Sequence, residues 1–353
     1  MLSHGRIGGS GAQIGAIESN LFVAYNRQRC GYCSLTDARA ARIPRQRSTI
    51  FYNHSHSLER VPTDEMSNGE SALGGIRSAL GRPAHEGEGY LIYNGDCLEL
   101  MKQLPDAQLP LTVTSPPYNI GKEYEKPLSL GEYLDWCESW IRQIHRLTAP
   151  RGAFWLNLGY TSIPERAKAI PIPYLLWQRS PFYLLQEIVW HYGAGVAARS
   201  SFSPRNEKFL WYVKNPEDYI FNLDAVRDPN IKYPNQKKNG KLKCNQMGKN
   251  PSDVWLFPKV TSGKNRASKE RMPHPAQFPI AVIERIIKAC SNPNDVLLDP
   301  FLGSGSLIEA ALRNGRKCVG FEVDSQYARL AADRIGKYLR RSKAEVAQGT
   351  LFG

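Results

Sequence analysis

The chain has 353 residues, of which 42% are hydrophobic, and a formal net charge of +13. This length and apolar content predict one large α/β domain with an insertion, or two domains, around a sizeable core. The excess positive charge indicates a polyanionic partner. No apolar run is long enough to cross a membrane and no signal peptide opens the chain, so we expect no membrane partner. Seven scattered cysteines suit a reducing, cytoplasmic compartment rather than a disulfide framework.

The first 89 residues differ in composition from the rest of the chain. They are rich in Gly, Ser and Arg and hold no lysine, the first of which is Lys102. We predict that residues 1–89 form a poorly ordered N-terminal extension. Residues 1–65 are either part of it or sequence upstream of a true start at Met66. Cys30 and Cys33 form a lone CxxC without a second pair or a matching histidine spacing, so we predict no metal site.

Regular patterning begins at Tyr90 and alternates short apolar strands with amphipathic helices. Strands are predicted at 91–93, 111–114, 153–158, 186–191 and 209–213, and helices at 98–104 and 133–147.

The strand at 111–114 runs into Ser115-Pro116-Pro117-Tyr118. Each proline fixes its own φ and lacks an N–H, so the carbonyls of Ser115 and Pro116 have no helix or sheet partner nearby. Ser115 adds a hydroxyl and Tyr118 an aromatic face. This turn therefore predicts a fixed cluster of acceptors beside a stacking surface, suited to an amino group on a flat ring.

Residues 225–272 break the α/β pattern. They hold twelve lysines and arginines against three acidic residues, interspersed with Tyr233, Trp255 and Phe257. Although a solvated linker is one interpretation of such a stretch, this concentration of charge suits a surface that contacts phosphates. The lysines predicted to make those contacts are Lys237, Lys238, Lys241 and Lys243.

The α/β pattern resumes after residue 272, with helices predicted at 278–290, 307–314 and 327–339 and strands at 295–299 and 317–322. The strand, glycine turn, helix, strand order is typical of a nucleoside site, with Glu322 placed to take two ribose hydroxyls. Gly303 and Gly305 permit close backbone approach. Asp299 would repel phosphate and suits a cationic ligand. A P-loop lysine and the third glycine of a dinucleotide motif are missing, so S-adenosylmethionine fits better than a triphosphate or NAD.

These motifs together resemble those of the β-type amino-methylating DNA methyltransferases, which modify cytosine N4 or adenine N6. Ser115–Tyr118 resembles the catalytic tetrad of that family, and 299–306 resembles its cofactor motif Asp-Pro-Phe-x-Gly-Ser-Gly-Thr with Ser306 in the last position. Segments 274–279 and 94–97 resemble two further parts of its cofactor pocket. The tetrad precedes the cofactor motif, which is the β-type, permuted order.

The resemblance implies a circularly permuted, Rossmann-like fold, with a mixed, mostly parallel sheet and helices on both faces. Residues 90–224 and 273–340 would be its catalytic and cofactor-binding parts, 225–272 its target-recognition insert and 341–353 a tail. The implied catalytic residues are Ser115, Pro116, Pro117 and Tyr118. The implied cofactor residues are Asp96, His274, Asp299, Pro300, Phe301, Gly303, Ser304, Gly305 and Glu322.

The function implied is methyl transfer from S-adenosylmethionine to a base flipped out of double-stranded DNA, without a covalent enzyme intermediate. Serine at the first tetrad position goes mostly with cytosine N4 in this family, so cytosine N4 is expected and adenine N6 is the alternative. A catalytically idle DNA-binding subunit and a Rossmann-type oxidoreductase are the rivals from other classes. The intact tetrad argues against the first, and the missing third glycine against the second.

Cytosine N4 enzymes usually guard restriction sites. We therefore expect a bacterial, cytoplasmic monomer or homodimer that is paired functionally with a restriction endonuclease without forming a stable complex with it. The expected recognition sequence is a short G+C-rich palindrome such as CCCGGG.

Overall fold

The computed structural model describes residues 64–121, 127–193, 195, 197–260 and 270–349. The helices of this part are α1 (Asp64–Leu80), α2 (Cys97–Lys102), α3 (Leu130–Leu147), α4 (Ile172–Leu176), α5 (Ile280–Cys290), α6 (Ser306–Arg313) and α7 (Ser325–Gly349). Its strands are β1 (His85–Gly87), β2 (Tyr90–Asn94), β3 (Leu109–Thr114), β4 (Thr148–Leu158), β5 (Tyr160–Ile163), β6 (Ala167–Pro171), β7 (Tyr183–His191), β8 (Asn206–Val213), β9 (Lys237–Lys238), β10 (Lys241–Leu242), β11 (Val254–Leu256), β12 (Val296–Asp299) and β13 (Lys317–Glu322). None of the helices in these ranges is long and apolar enough to cross a membrane.

A nine-stranded sheet with the order β1-β2-β13-β12-β3-β4-β8-β7-β11 forms the centre of the fold. Five neighbouring strands, from β2 to β4 in that order, are parallel. Strand β1 is antiparallel to β2, and β8 is antiparallel to both β4 and β7. The predicted fold class, a mostly parallel mixed sheet, is therefore confirmed.

Helices cover both faces of this sheet because alternate strand residues are apolar on each side. On one face, Ile92, Leu111 and Val113 pack in a cluster with residues of α5, α6 and α7. On the other, Leu91 and Tyr93 pack in a second cluster with residues of α1, α2, α3 and α4. Burial on both faces fixes the strand register, because a slip of one residue would exchange the two faces.

The chain leaves β12 and β3 in opposite directions across the sheet. From β12 it passes through α6 to β13, and from β3 it passes through α3 to β4 on the other side. Such a point opens a crevice beyond the carboxyl ends of the strands, and ligands bind there in open α/β sheets. The fold thus brings the turn after β3 and the glycine turn after β12 to one crevice.

The prediction that residues 1–89 form a poorly ordered extension is wrong for the described residues 64–89. Helix α1 buries Leu73 and Ile76 and packs on strands β12 and β13, and β1 pairs with β2. The helix has few large apolar residues and β1 is short and polar, so neither has a strong pattern. Residues 1–63, which include Cys30 and Cys33, lie outside the described residues, and Met66 lies within α1.

We expect Ile76→Ala to lower the free energy of unfolding by about 2–5 kcal/mol, because it removes a fully buried aliphatic side chain. Ile76 is 2% exposed. Ser78→Ala, on the exposed side of the same helix, is the matched control and should change stability little. Denaturant unfolding of both variants measures the difference. Equal stabilities would mean that α1 contributes nothing to the folded core.

Two other predicted boundaries are also wrong. Strand β11 lies inside the predicted insert, yet it pairs with β7 and buries Trp255, whose ring stacks on Trp155 at 5.6 Å. The insert therefore supplies the last strand of the central sheet. Helix α7 continues to Gly349, so 341–349 is helix rather than tail. Residues 261–269 of the insert and 350–353 lie outside the described residues.

Candidate active site

A pocket of about 650 Å³ opens at the crevice between β12 and β3. The tetrad Ser115–Tyr118 lines it from the turn after β3, and residues 299–304 line it from the turn after β12. Of the thirteen predicted catalytic and cofactor residues, twelve line this pocket, including Asp96, His274 and Glu322. The exception is Gly305.

The tetrad turn is held rigidly by its neighbours. The Tyr133 hydroxyl donates a hydrogen bond of 2.7 Å to the Pro117 carbonyl. Asn119 (φ 59°) exchanges two bonds of 2.8 Å with the backbone of Leu128, just before Ser129 begins α3 with a capping box. The buried Pro116 is different, because its carbonyl accepts no hydrogen bond from any described residue. That carbonyl is therefore available as an acceptor.

A chain of hydroxyl and amide groups links the tetrad to the next strands of the sheet. The Tyr118 hydroxyl donates to Asn157 Oδ1 over 2.9 Å, and Ser115 Oγ lies 3.0 Å from Tyr118 Oη and 3.5 Å from Asn157 Oδ1. Asn157, on β4, is 1% exposed, and its Nδ2 donates to the Lys208 carbonyl of β8 over 2.9 Å. Asn157 was not predicted as a site residue, although a lone amide in an apolar strand is a signal that could have found it.

Gly159 provides the space in which the Tyr118 ring lies. A Cβ at this position would approach two ring carbons of Tyr118 to 2.7 Å, well inside van der Waals contact. Any larger residue would push the ring and its hydroxyl out of the present arrangement. Gly159, directly after β4, is therefore needed for the present position of Tyr118.

Asp299 ends β12 inside the protein. One carboxylate oxygen accepts hydrogen bonds from the Thr114 hydroxyl over 2.7 Å and from the Phe301 N–H over 3.1 Å. Burial raises the pKa of Asp299 to about 7; the two hydrogen bonds oppose the rise and the Glu322 carboxylate adds to it. A cationic group in the pocket would favour the ionised form.

Two further acidic residues of the site, Glu322 and Asp96, also accept hydrogen bonds from backbone N–H groups. Glu322 accepts from the Gly303 N–H over 2.8 Å and from the Asp324 N–H over 3.0 Å, and burial raises its pKa. Each carboxylate oxygen keeps a further lone pair for a ligand hydroxyl. Asp96 caps the N-terminus of α2 by accepting from the Leu98 N–H over 2.8 Å, and it also lines the pocket.

The glycine turn contains two left-handed residues with different neighbours. Gly303 (φ 51°) faces His274, and a Cβ there would lie 2.9 Å from the imidazole Nε2. Gly305 (φ 74°) faces α7 instead, where a Cβ would lie 2.9 Å from the Cβ of Ala331. The small size of Gly305 therefore permits helix packing; this glycine does not line the pocket, and its contact with the cofactor stays a prediction. Burial lowers the pKa of His274, which favours its neutral form.

Buried charged residues of α6 and α7 contact the same glycine turn. Arg334 of α7, 4% exposed, pairs with Glu309 of α6 and lies 3.1 Å from the Ser306 hydroxyl. The Ser304 and Ser306 hydroxyls lie 3.2 Å apart. These contacts hold the loop in the conformation that forms one wall of the pocket.

The pocket also has lining residues that were not predicted. Glu207 of β8 pairs with Lys259, and both line the pocket together with Trp190. The Lys259 ammonium lies 3.9 Å from the ring centroid of Tyr192. Lys259 comes from the predicted insert, which therefore contributes a pocket wall.

The four predicted DNA-binding lysines lie elsewhere. Lys237, Lys238 and Lys241 are on an antiparallel β9–β10 hairpin, Lys243 follows it, and all four are exposed. The hairpin turns at Asn239-Gly240, both with positive φ, as a two-residue turn requires. None of the four lines the pocket, and their contact with DNA stays a prediction.

Residues 109–333 match the DNA methylase family model of N6 and N4 methyltransferases. The chain belongs to this DNA methylase family. It is 62% identical over 266 residues to the type II methyltransferase M.ScaI of Streptomyces caespitosus, a match that covers 75% of this chain and 88% of the relative. It is 31% identical over 271 residues to the DNA adenine methyltransferase YhdJ of Escherichia coli K12, covering 74% and 87%.

Solved structures of DNA methylases share the fold. The PvuII cytosine-N4-specific DNA methyltransferase superposes with a TM-score of 0.59 at 21% identity, covering 72% of this chain and 89% of that one. The complex of a DNA modification methylase from Thermus thermophilus with S-adenosyl-L-methionine gives 0.51 at 24% identity, covering 70% and 93%. These likenesses support the fold of this DNA methylase.

The cofactor of this DNA methylase is S-adenosylmethionine, as predicted, and the pocket fits it. The cofactor carries an ammonium and two ribose hydroxyls, and the pocket offers the carboxylates of Asp299 and Glu322. A Cβ at Gly303 would fill part of the cradle beside His274. These features match a cationic nucleoside and not a polyphosphate.

Proposed function

We propose that this DNA methylase transfers a methyl group to the exocyclic N4 of cytosine in double-stranded DNA. The observation that carries the proposal is the pairing, in one rigid turn of the pocket, of the Ser115 hydroxyl with a Pro116 carbonyl that accepts no hydrogen bond from the described residues. Two acceptors in adjacent residues suit an amine that has two N–H donors. Serine in the first tetrad position favours cytosine over adenine by resemblance to the family.

An exocyclic amine is a poor nucleophile because its lone pair is delocalised into the ring. Hydrogen bonds from the amine to Ser115 Oγ and to the Pro116 carbonyl favour a pyramidal nitrogen and direct its lone pair into the pocket. S-adenosylmethionine supplies an activated methyl group on a sulfonium. The chain's own contribution is to bind, orient and exclude water. We assign no covalent role to Cys97, the cysteine that lines the pocket, because burial raises its pKa to about 12.

The target base must leave the duplex to reach these acceptors. The Tyr118 ring, anchored through its hydroxyl, offers a surface on which the flipped base stacks, and stacking is worth about 1–3 kcal/mol per base. Glu207, Lys259 and Trp190 also line the pocket, and we assign the first two to the polar edge of the flipped base. We assign Asp299 to the cofactor ammonium and Glu322 to its ribose.

Adenine N6 methylation is the second candidate, because a relative that is 31% identical is named a DNA adenine methyltransferase. Incubation of unmethylated genomic DNA with the enzyme and labelled S-adenosylmethionine, followed by nucleoside hydrolysis and mass spectrometry, separates the two. The proposal expects label in N4-methylcytosine. Label in N6-methyladenine would show that the target base is adenine and not cytosine. Methyl transfer to an exocyclic amine would still hold.

We further propose that the enzyme protects a specific site against a partner restriction endonuclease. The name type II methyltransferase, carried by the relative that is 62% identical, supports this role. Plasmid DNA recovered from cells that express the enzyme should resist at least one endonuclease of a restriction panel. Full sensitivity to every endonuclease whose site contains the methylated base would argue against protection.

We expect replacement of Lys237, Lys238, Lys241 and Lys243 by Gln to weaken DNA binding and to reduce its salt dependence. The slope of log K against log salt should fall by about 0.9 for each phosphate that the variant no longer neutralises. The matched control replaces four basic residues of α7, namely Lys337, Arg340, Arg341 and Lys343. Fluorescence anisotropy at several salt concentrations measures both slopes. If the slope changed equally in both variants, the hairpin lysines would act only through the net charge of the protein and not through phosphate contacts of their own.

A further inference from the structure

The direction of the hydrogen bonds in the tetrad is set by a residue outside it. Asn157 has an amide with one donor end and one acceptor end, and its Nδ2 donates to the Lys208 carbonyl over 2.9 Å. A carbonyl cannot receive a bond from the oxygen end, so the amide cannot be reversed. Asn157 Oδ1 must therefore face Tyr118 and Ser115 as an acceptor.

That acceptor fixes the hydroxyl protons in turn. The distance of Tyr118 Oη from Asn157 Oδ1 is 2.9 Å, whereas Ser115 Oγ lies 3.5 Å from the same oxygen. The shorter contact takes the Tyr118 proton. The Ser115 hydroxyl, 3.0 Å from Tyr118 Oη, then donates its proton to that oxygen. The order of donation runs from Ser115 through Tyr118 to Asn157 and is mutually reinforcing.

The consequence lies at Ser115 Oγ. A serine hydroxyl has one proton and two lone pairs. With its proton committed inside the protein, Ser115 presents lone pairs to the pocket and acts there as an acceptor. The two prolines that follow Ser115 add no N–H that could compete for the same lone pairs.

We propose that Asn157 is a positioning residue for methyl transfer, which sets the proton order of Ser115 and Tyr118 so that Ser115 accepts from the target amine. The proposal rests on the proposed function. It assigns Asn157 no contact with the base or the cofactor. It extends the catalytic unit from the tetrad to β4 and, through the Lys208 carbonyl, to β8.

A double-mutant cycle with Ser115 tests this role against a purely structural one. Asn157→Leu should slow single-turnover methylation by about 10- to 100-fold in the Ser115 enzyme. In a Ser115→Ala background the same change should have little further effect, since Asn157 acts through that hydroxyl. Affinities for S-adenosylmethionine and DNA should stay near wild type. Equal losses in both backgrounds would overturn the proposal.

Two companion variants keep the test decisive if Asn157→Leu folds poorly. Asn157→Asp keeps the acceptor oxygen but places a second oxygen against the Lys208 carbonyl, so it should be less stable than Asn157→Leu and yet faster in methyl transfer. If Asn157 had only a structural role, the less stable Asn157→Asp would also be the slower of the two variants. Asn206→Leu removes a 3.0 Å bond from the Tyr160 hydroxyl at the same sheet edge, outside the pocket, and should leave methyl transfer unchanged. If the wild-type enzyme methylates DNA in the same assay, the proposed function stands whatever the Asn157 variants do. Failure of the Asn157 proposal alone is then recognisable.

Discussion

Replacing Ser115 by alanine is expected to slow methyl transfer by about 100- to 1,000-fold. The bond from the amine to Ser115 Oγ strengthens as the nitrogen becomes pyramidal, so its loss falls on the transition state more than on binding. Affinities for DNA and S-adenosylmethionine should therefore change little. Single-turnover methylation, with both affinities measured separately, gives the required comparison.

Ser139→Ala is the matched control for this variant, since the Ser139 hydroxyl donates to the Trp136 carbonyl within α3 and lies outside the pocket. It should methylate at the wild-type rate. If Ser115→Ala also kept the wild-type rate, the hydroxyl would serve only to hold the turn. The chemical role assigned to it would then be wrong.

Asp299→Asn is expected to weaken S-adenosylmethionine binding by about 2 kcal/mol, or roughly 30-fold, because it removes the charge that we assign to the cofactor ammonium. The asparagine oxygen can still accept from Thr114 and Phe301, so the fold should persist. The pKa of Asp299 in the free protein is about 7, raised by burial. Cofactor binding favours the carboxylate and so releases a proton below that pH.

The affinity of the wild-type enzyme should therefore rise with pH up to about 7 and then level off, and in Asp299→Asn this rise should vanish. The stability of the cofactor-free protein carries the opposite sign. The folded state holds the Asp299 proton to a higher pH than the unfolded state, so stability falls as pH rises from about 4 to about 7. Calorimetry across this range measures both effects. Asp295→Asn, just before β12 and outside the pocket, is the control for cofactor affinity. A pH-dependent affinity that survived in Asp299→Asn would assign the titration to another group.

The catalytic and cofactor turns could be predicted from the sequence because local chemistry defines them. Two prolines after a strand leave the carbonyl of Pro116 outside any helix or sheet ladder wherever the segment folds. A buried strand that ends in Asp299 and a glycine turn is equally local. The folded structure then brings these two turns to one pocket, as the parallel order of β12 and β3 requires.

What the sequence did not reveal depends on contacts between distant segments. Helix α1 was missed because its stability comes from packing Leu73 and Ile76 on strands, not from its own pattern. Strand β11 was missed because it lies in a basic stretch and Trp255 is its one buried residue. The packing role of Gly305 was missed because its neighbour Ala331 lies 26 positions further along the chain. The role proposed for Asn157 depends on its contacts with the turn after β3 and with β8, which only the fold brings together.

The claim that Ser115 and Pro116 orient the target amine is tested most directly by a crystal structure of the enzyme with DNA and an unreactive S-adenosylmethionine analogue. The account predicts a base turned out of the duplex, with its exocyclic nitrogen about 3 Å from both Ser115 Oγ and the Pro116 carbonyl oxygen. It also predicts that the cofactor sulfur lies on the opposite side of that nitrogen. An amine held by other residues, with Ser115 facing away from it, would contradict the account.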